Sequence, residues 1–352
     1  LNDQSKVTRG ASAADPSAAG LPVTPADIEA AARRLQGKAI VTPLLSFPLI
    51  DKEIGFRLLV KAETFQLTGS FKFRGACNKL MLLREERPDV RAVVAFSSGN
   101  HAQGVAAAAA MLGFSATIVM PDDAPRVKIE NTKRLGAEVV LYRRHSESRE
   151  EIAADISAKT NAALVPPYDD PAIMAGQGTA GLEINAQMEA LGLQPDIAIA
   201  PCSGGGLLAG VATALKHRWP NVEMMSAEPA GFDDLARSLQ SGQRLANEPG
   251  KTSICDALMS PQPGVLTFAV NRKLLSRGLA ASDATVLQAM RFALLKLKMT
   301  IEPGGAAALA CALQNRADWQ NRTVVVVASG GNADAEMINR ALEAGDILER
   351  TS

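Results

Sequence analysis

The sequence predicts an α/β protein with largely parallel sheets, and three observations predict it. Short runs of β-type residues alternate with helix-length stretches along most of the chain. Two of these runs, VVVVAS and DIAIAP, are apolar at consecutive positions, as strands covered on both faces are. Of the 352 residues, 47% are hydrophobic and 21% charged, which supplies a sizeable core and argues against wholesale disorder. At ~150 residues per domain, the length fits about two domains.

The elements follow in order. Residues 1–23 are rich in Ala, Ser, Gly and Pro and read as a mobile N-terminal arm. They lack a basic stretch followed by an apolar one, so they do not read as a secretory signal. Thr24 before Pro25 is an N-cap followed by a proline at the first helical position, and the helix it opens runs to about Gly37. Strands are expected at 58–62, 92–96, 116–120, 138–141, 196–200, 222–227 and 323–328. Helices are expected at 99–112, 125–135, 146–160, 171–191 and 207–218, and Lys72 starts another.

Composition narrows the function. Lys+Arg and Asp+Glu balance at 37 each, which argues against a nucleic-acid partner. No apolar run approaches the ~20 residues that span a bilayer, so no membrane association is expected. Cys77, Cys202, Cys255 and Cys311 are widely spaced. With only His101, His145 and His217 beside them they are poor material for a zinc cluster, and a reducing, cytoplasmic location is expected. Neither a G-x-x-x-x-G-K-[ST] loop nor a G-x-G-x-x-G after the first strand is present.

Two strand ends carry glycine turns. In DIAIAPCSGGGLLAG, Ser203, Gly204, Gly205 and Gly206 have little side-chain bulk, and the helix after them points its positive end at the same place. That arrangement is an anion cradle best matched to a phosphate, although such turns also serve plain strand–helix packing. In VVVVASGGNAD, Ser329, Gly330, Gly331 and Asn332 follow a second strand. In an open parallel sheet both turns lie at the carboxyl ends of strands, where ligands bind. Lys72, in TGSFKFRGA, sits at a helix start between Phe71 and Phe73; a lysine held there is expected to have a depressed pKa and to be a better nucleophile, although by residue type alone it reads more often as a solvated surface lysine.

Five motifs occur in series: T-G-S-F-K-x-R-G-A, S-S-G-N-H-A-Q-G (97–104), S-G-G-G-L-L-A-G, E-P-G-G-A-A-A-L (302–309) and S-G-G-N. In that order they resemble the threonine dehydratase/serine racemase family of fold-type II pyridoxal-phosphate enzymes, and the likeness runs from about Thr24 to about Leu348. It implies a tryptophan synthase β-like fold of two open, twisted, largely parallel sheets flanked by helices. The implied division is a large cofactor domain of residues 24–91 plus 170–352 and a small substrate-closing domain of residues 92–169. The likeness implies pyridoxal 5'-phosphate held as a Schiff base on Lys72, with Phe71 beside the ring. Asn100 would lie at the phenolic oxygen, Ser203–Gly206 at the phosphate and Ser329 at the pyridine nitrogen. A neutral hydroxyl at that nitrogen makes a weaker electron sink than an aspartate, which suits prompt loss of a β-leaving group.

The resemblance also implies that Ser97, Ser98, Gly99, Asn100 and His101 close on the substrate carboxylate. Ser98 would stand opposite Lys72, where a serine is linked to racemisation, or it would only bind the carboxylate. Arg149 and Ser260 match positions near the substrate's far end; by its own context, SESREE, Arg149 reads equally well as an exposed helix arginine. Glu228, the carbonyl of Phe232 and Asp234 would surround Mg²⁺ or Ca²⁺, whereas without the resemblance the two acids read as helix-start residues. The implied activity is dehydration and deamination of a β-hydroxyamino acid, L-threonine or L-serine first, to a 2-oxo acid and ammonia. Serine racemase, threo-3-hydroxyaspartate dehydratase and a dehydratase of another catabolic hydroxyamino acid, as in hydroxyectoine use, are the alternatives. A non-catalytic amino-acid sensor is disfavoured by the presence of Lys72 and Ser329 together. A homodimer or homotetramer is expected. The chain's end soon after Ser329 leaves no room for the C-terminal regulatory domain of biosynthetic threonine dehydratases.

Overall fold

A computed structural model describes residues 20–97, 99–124, 126–143 and 146–349. Ten strands form two sheets. β1 (Leu44–Ser46), β2 (Arg57–Ala62), β7 (Ile197–Pro201), β8 (Glu223–Pro229), β9 (Arg277–Ala281) and β10 (Thr323–Ala328) build a six-stranded sheet in the order β1-β2-β10-β7-β8-β9. β3 (Ala92–Phe96), β4 (Ser115–Pro121), β5 (Glu138–Tyr142) and β6 (Ala163–Leu164) build a four-stranded sheet in the order β5-β4-β3-β6. Every pairing is parallel except β1 with β2. All seven expected strands are present, and β3 and β10 have the expected ends. The unexpected strands are β1, β6 and β9: the first two have three and two residues, and β9, RGLAA, is an edge strand with one buried side chain. None is long or apolar enough to show a period.

Central strands alternate their side chains between two cores, which is why they read as unbroken apolar runs. Val324, Val326, Ile197 and Ile199 face one core with the helix Pro303–Gln314; Val325, Val327, Ala198 and Ala200 face the other with the helix Gly206–Arg218. The small sheet is likewise covered on both sides, by Val93, Ala95, Ile118 and Met120 on one face and Val94 and Val119 on the other.

Local signals form as expected. Thr24 and Asp27 make a reciprocal capping box, Asp27 N donating to Thr24 Oγ1 at 3.3 Å and Thr24 N to Asp27 Oδ2 at 2.9 Å. Residues 1–19 of the expected arm lie outside the described residues; of the rest, Val23 is fully buried against the first helix. Where the helix Pro171–Ala190 crosses Gly206–Arg218, a Cβ on Gly210 would strike Met174 O and Gly178, so small residues set that close approach.

A buried ionic cluster ties the Lys72 segment to the large sheet. Arg74 bonds to Glu63 at 2.8 Å and to Glu183 at 2.6 Å, and Lys61 bonds to Glu183 at 2.6 Å. Arg74 thereby fixes the helix Lys72–Glu86 to the turn after β2 and to the helix Pro171–Ala190.

Candidate active site

The carboxyl ends of β3, β7 and β10 open into one cavity of about 190 Å³ between the two sheets. Ser97 follows β3, Ser203 follows β7 and Ser329 follows β10 by one or two residues, so parallel topology brings three distant motifs to one place. Lys72 enters from a fourth segment, the turn 68–71. That turn is stitched to the β10 end: Phe71 N donates to Ser329 O at 3.1 Å and Gly331 N to Gly69 O at 2.9 Å.

The Lys72 amine donates to Pro167 O at 2.8 Å and lies 5.2 Å from the Phe71 ring centre. Among the described residues no carboxylate pairs with it. Burial lowers its pKa to about 8, so a reactive fraction of free amine exists near neutral pH. His101 Nε2 lies 3.0 Å from Val165 O. Burial, and then the charge of Lys72, push the His101 pKa down to about 3, so the ring is neutral and its Nε2–H is spent on that carbonyl.

The glycine turn after β7 is built as a cradle. Gly204 O accepts from Gly264 N at 3.1 Å and from Thr267 Oγ1 at 2.5 Å, and Gly205 O accepts from Asn271 Nδ2 at 3.2 Å. With these carbonyls held toward the helix Val265–Leu274, the turn's amides are left for the cavity. No side chain caps the helix that starts at Gly206. Its free N–H groups and positive end suit a phosphate. Gly205 has φ +97°, and a Cβ on Gly204 would run into the Tyr168 ring. A cradle of this form, facing a solitary buried amine in one cavity, fits pyridoxal phosphate at both ends. Ser329, 5% exposed, lines the same cavity with a neutral hydroxyl.

Other expected residues divide. Ser97, Gly99, Asn100, Arg149 and Ser260 line the cavity. Ser98 lies outside the described residues, as does His145. The Ser203 hydroxyl donates to Ser260 Oγ at 2.7 Å and accepts from Ser260 N at 3.2 Å, so the residue expected at the cofactor's phosphate and the one expected near the substrate's far end are directly bonded. Arg149 opens the helix Arg149–Thr160, sits 5.1 Å above the Phe96 ring and donates to Glu150 at 2.9 Å, and it lines the cavity while staying half exposed.

Glu228 Oε1 accepts from Leu235 N at 2.8 Å and Oε2 from Ala236 N at 2.9 Å, at the start of the helix Asp234–Ser241. Glu228, near the end of β8, thus accepts from backbone N–H groups at the start of that helix with both of its oxygens. Yet burial, and then the charge of Asp234, raise its pKa to about 8. Burial raises that of Asp234 to about 6. Asp234 Oδ1 accepts from Asn247 at 2.6 Å, while its Oδ2 is buried without a partner. Two facing acids and an orphaned oxygen fit a hard cation with oxygen ligands. Among the described residues, no group of three or more His, Cys, Asp or Glu forms such a site.

Sequence reasoning missed several cavity residues. Tyr168 covers the cradle. Glu302, quoted within a motif but given no role, is buried and its carboxylate accepts from Asn100 at 2.5 Å; burial raises its pKa to about 7. Lys128 and Asp256 form a 2.5 Å ion pair between the small-sheet side and the large-sheet side of the cavity. Thr267 and Asn271 have no local signal, because they act on a turn some 60 positions away.

The family described as pyridoxal-phosphate dependent enzymes matches residues 35–330, and the chain belongs to it. The chain is 39% identical to an L-threonine ammonia-lyase from Thermotoga maritima over 92% of this chain and 79% of that protein. It is 39% identical to an L-threo-3-hydroxyaspartate ammonia-lyase from a Pseudomonas species over 88% of this chain and 95% of that protein. Among solved structures, the T.th. threonine deaminase superposes with a TM-score of 0.83 at 42% identity, covering 88% of this chain and 99% of that one. Maize serine racemase superposes at 0.84 and 35% identity, covering 91% and 97%. The fold is that of the fold-type II pyridoxal-phosphate enzymes.

Proposed function

We propose that the chain removes water from a β-hydroxyamino acid, with L-threonine or L-serine as the first substrates, to give a 2-oxo acid and ammonia. The observation that carries this reading is the Lys72 amine, solitary and partly deprotonated, in one cavity with the glycine cradle and Ser329. Lys72, Phe71, Asn100, Ser203–Gly206 and Ser329 would hold the cofactor, which supplies an electron sink for the charge left at Cα. Lys72 then takes the α-proton as a general base of suitable pKa. The Cα–H and Cβ–O bonds break, water leaves, and the released enamine tautomerises and takes up water, expelling ammonia. Ser97, Gly99, Asn100 and His101 lie at the start of the helix Asn100–Leu112, whose positive end favours a substrate carboxylate. Neutral Ser329 limits the sink and favours elimination over wider carbanion chemistry. Residues 92–169 act in this reading as the substrate-closing domain, and the four buried free cysteines support a reducing, cytoplasmic compartment.

A second reading, threo-3-hydroxyaspartate as substrate, is favoured by Arg149 on the cavity wall, since a second carboxylate there would meet its guanidinium. Assay of 2-oxo acid and ammonia over threonine, serine and threo-3-hydroxyaspartate, with chiral analysis of residual serine, tests both. Threonine or serine turnover that survives in Arg149→Ala while hydroxyaspartate turnover falls supports the pair of readings. A Lys72→Ala protein that still forms the oxo acid would sink the first. The Glu228–Phe232–Asp234 corner is proposed to bind Mg²⁺ or Ca²⁺, on the strength of the orphaned Asp234 Oδ2.

A further inference from the structure

Four sequence motifs meet in one chain of hydrogen bonds beside the cavity. Asn332 Nδ2 donates to Thr68 O at 2.9 Å and to Asn100 Oδ1 at 2.7 Å, and Asn100 Nδ2 donates to Glu302 Oε1 at 2.5 Å. The polarity of this chain is forced from its end. A backbone carbonyl only accepts, so the Asn332 atom facing Thr68 is its nitrogen. The same nitrogen faces Asn100, so the Asn100 atom there is its oxygen. The Asn100 amide nitrogen therefore faces Glu302, which takes one of its two hydrogens. The other is left for the cavity that Asn100 lines. Turning the Asn100 amide over would set donor against donor at Asn332.

The surrounding glycines are what make room for this chain. A Cβ on Gly69 would collide with the Asn332 amide, and one on Gly330 with the Glu302 carboxylate. Thr68, which receives Asn332, is a β-branched residue at φ +64°, a conformation that needs support from outside the turn.

We propose that Asn332 and Glu302 are positioning residues that hold the Asn100 amide with an N–H aimed into the cavity at the cofactor's 3-oxygen. The proposal rests on the cofactor-binding role read above for Asn100. A neutral donor there stabilises the ionised 3-oxygen, so the network sets the protonation state of the bound cofactor from two residues behind the one that touches it.

The test uses the absorbance of the loaded protein at saturating pyridoxal phosphate, followed over pH. Asn332→Asp keeps the size and removes the donor. It is expected to move intensity from the long-wavelength band to the short-wavelength band, by roughly fivefold in their ratio at neutral pH, as loss of one hydrogen bond implies. Glu302→Leu is expected to do the same, whereas Glu302→Gln, which keeps an acceptor oxygen, restores the parent spectrum. An Asn332→Asp protein that melts earlier but keeps the parent spectrum and pH profile at full loading would show a merely structural role and overturn the proposal. A parent protein with no cofactor band, or a Lys72→Ala protein that keeps it, defeats the functional reading first and this inference with it.

Discussion

Two groups of buried charge in the large-sheet half of the molecule have opposite logic. Around Arg74, two cations and two carboxylates cancel: Lys61, Glu63 and Arg74 are at most 1% exposed and Glu183 is 16% exposed. Burial alone would raise the Glu63 pKa, but Arg74 and Lys61 overcome it and hold the carboxyl below its usual range. Around Glu228 and Asp234 the balance is incomplete, since two backbone N–H groups, Asn247 and Arg237 offset the charge only in part. Two acids face one another, both are pushed upward, and one oxygen has no partner. Burying charge is costly unless it is paired, so a neutral cluster explains itself as architecture. An unbalanced one asks for a missing ion or a proton.

The comparison can be broken at several points. The largest effect is expected from Arg74→Met, which leaves the buried Glu63 without its ion-pair partner and Glu183 with Lys61 alone. It should cost about 3–5 kcal/mol in urea denaturation, and a loss below about 1 kcal/mol would mean the cluster is not a cooperative unit. Next comes cation binding at the acid pair: Mg²⁺ or Ca²⁺ at about a hundred times its Kd should stabilise the parent by about 2.7 kcal/mol, with chelator reversing the gain. Asp234→Asn should abolish it, and an equal rise in that variant would place the cation elsewhere.

The pH dependence of the cation-free protein sharpens the contrast further. Carboxyls raised in the folded state hold more protons than in the unfolded chain, so stability is present at low pH and falls as pH rises from the ordinary carboxylate range toward about 8. Glu228→Gln should flatten that fall, as read by melting temperature against pH. The smallest effect is expected from the exposed pair Arg218–Glu189, 50% and 46% exposed, where Glu189→Gln should change stability by less than about 1 kcal/mol.

Much of the site was legible because small residues, a lysine and short polar motifs advertise themselves locally. Lys72, the glycine turn of 203–206 and Ser329 need no knowledge of what faces them. Tyr168, Thr267 and Asn271 were invisible for the converse reason: each has an ordinary local context, and its task is defined by a turn far away in the chain. Glu302 and Asn332 stood inside recognised motifs, yet their relation to Asn100 spans more than 200 positions. Arg149 reads two ways from its sequence context, and its long side chain at a helix start reaches the cavity while staying half exposed, so position by itself does not choose between them. The short strands β1, β6 and β9 escaped notice because a strand of two or three residues, or one on a sheet edge, carries no burial pattern to read.

By itself the sequence determined the alternation of strands and helices, the places where the backbone must turn tightly, and the chemical groups offered at those turns. These follow from local sterics and from the period of apolar side chains. Only the tertiary structure decided which groups meet. Parallel pairing sets the ends of β7 and β10 side by side, the end of β3 in the other sheet lines the same cavity, and only there is Lys72 buried enough for its pKa to fall to about 8. Only there, too, does the direction of each hydrogen bond in the Asn332–Asn100–Glu302 chain become fixed, because a donor's partner is a matter of distance in space and not along the chain.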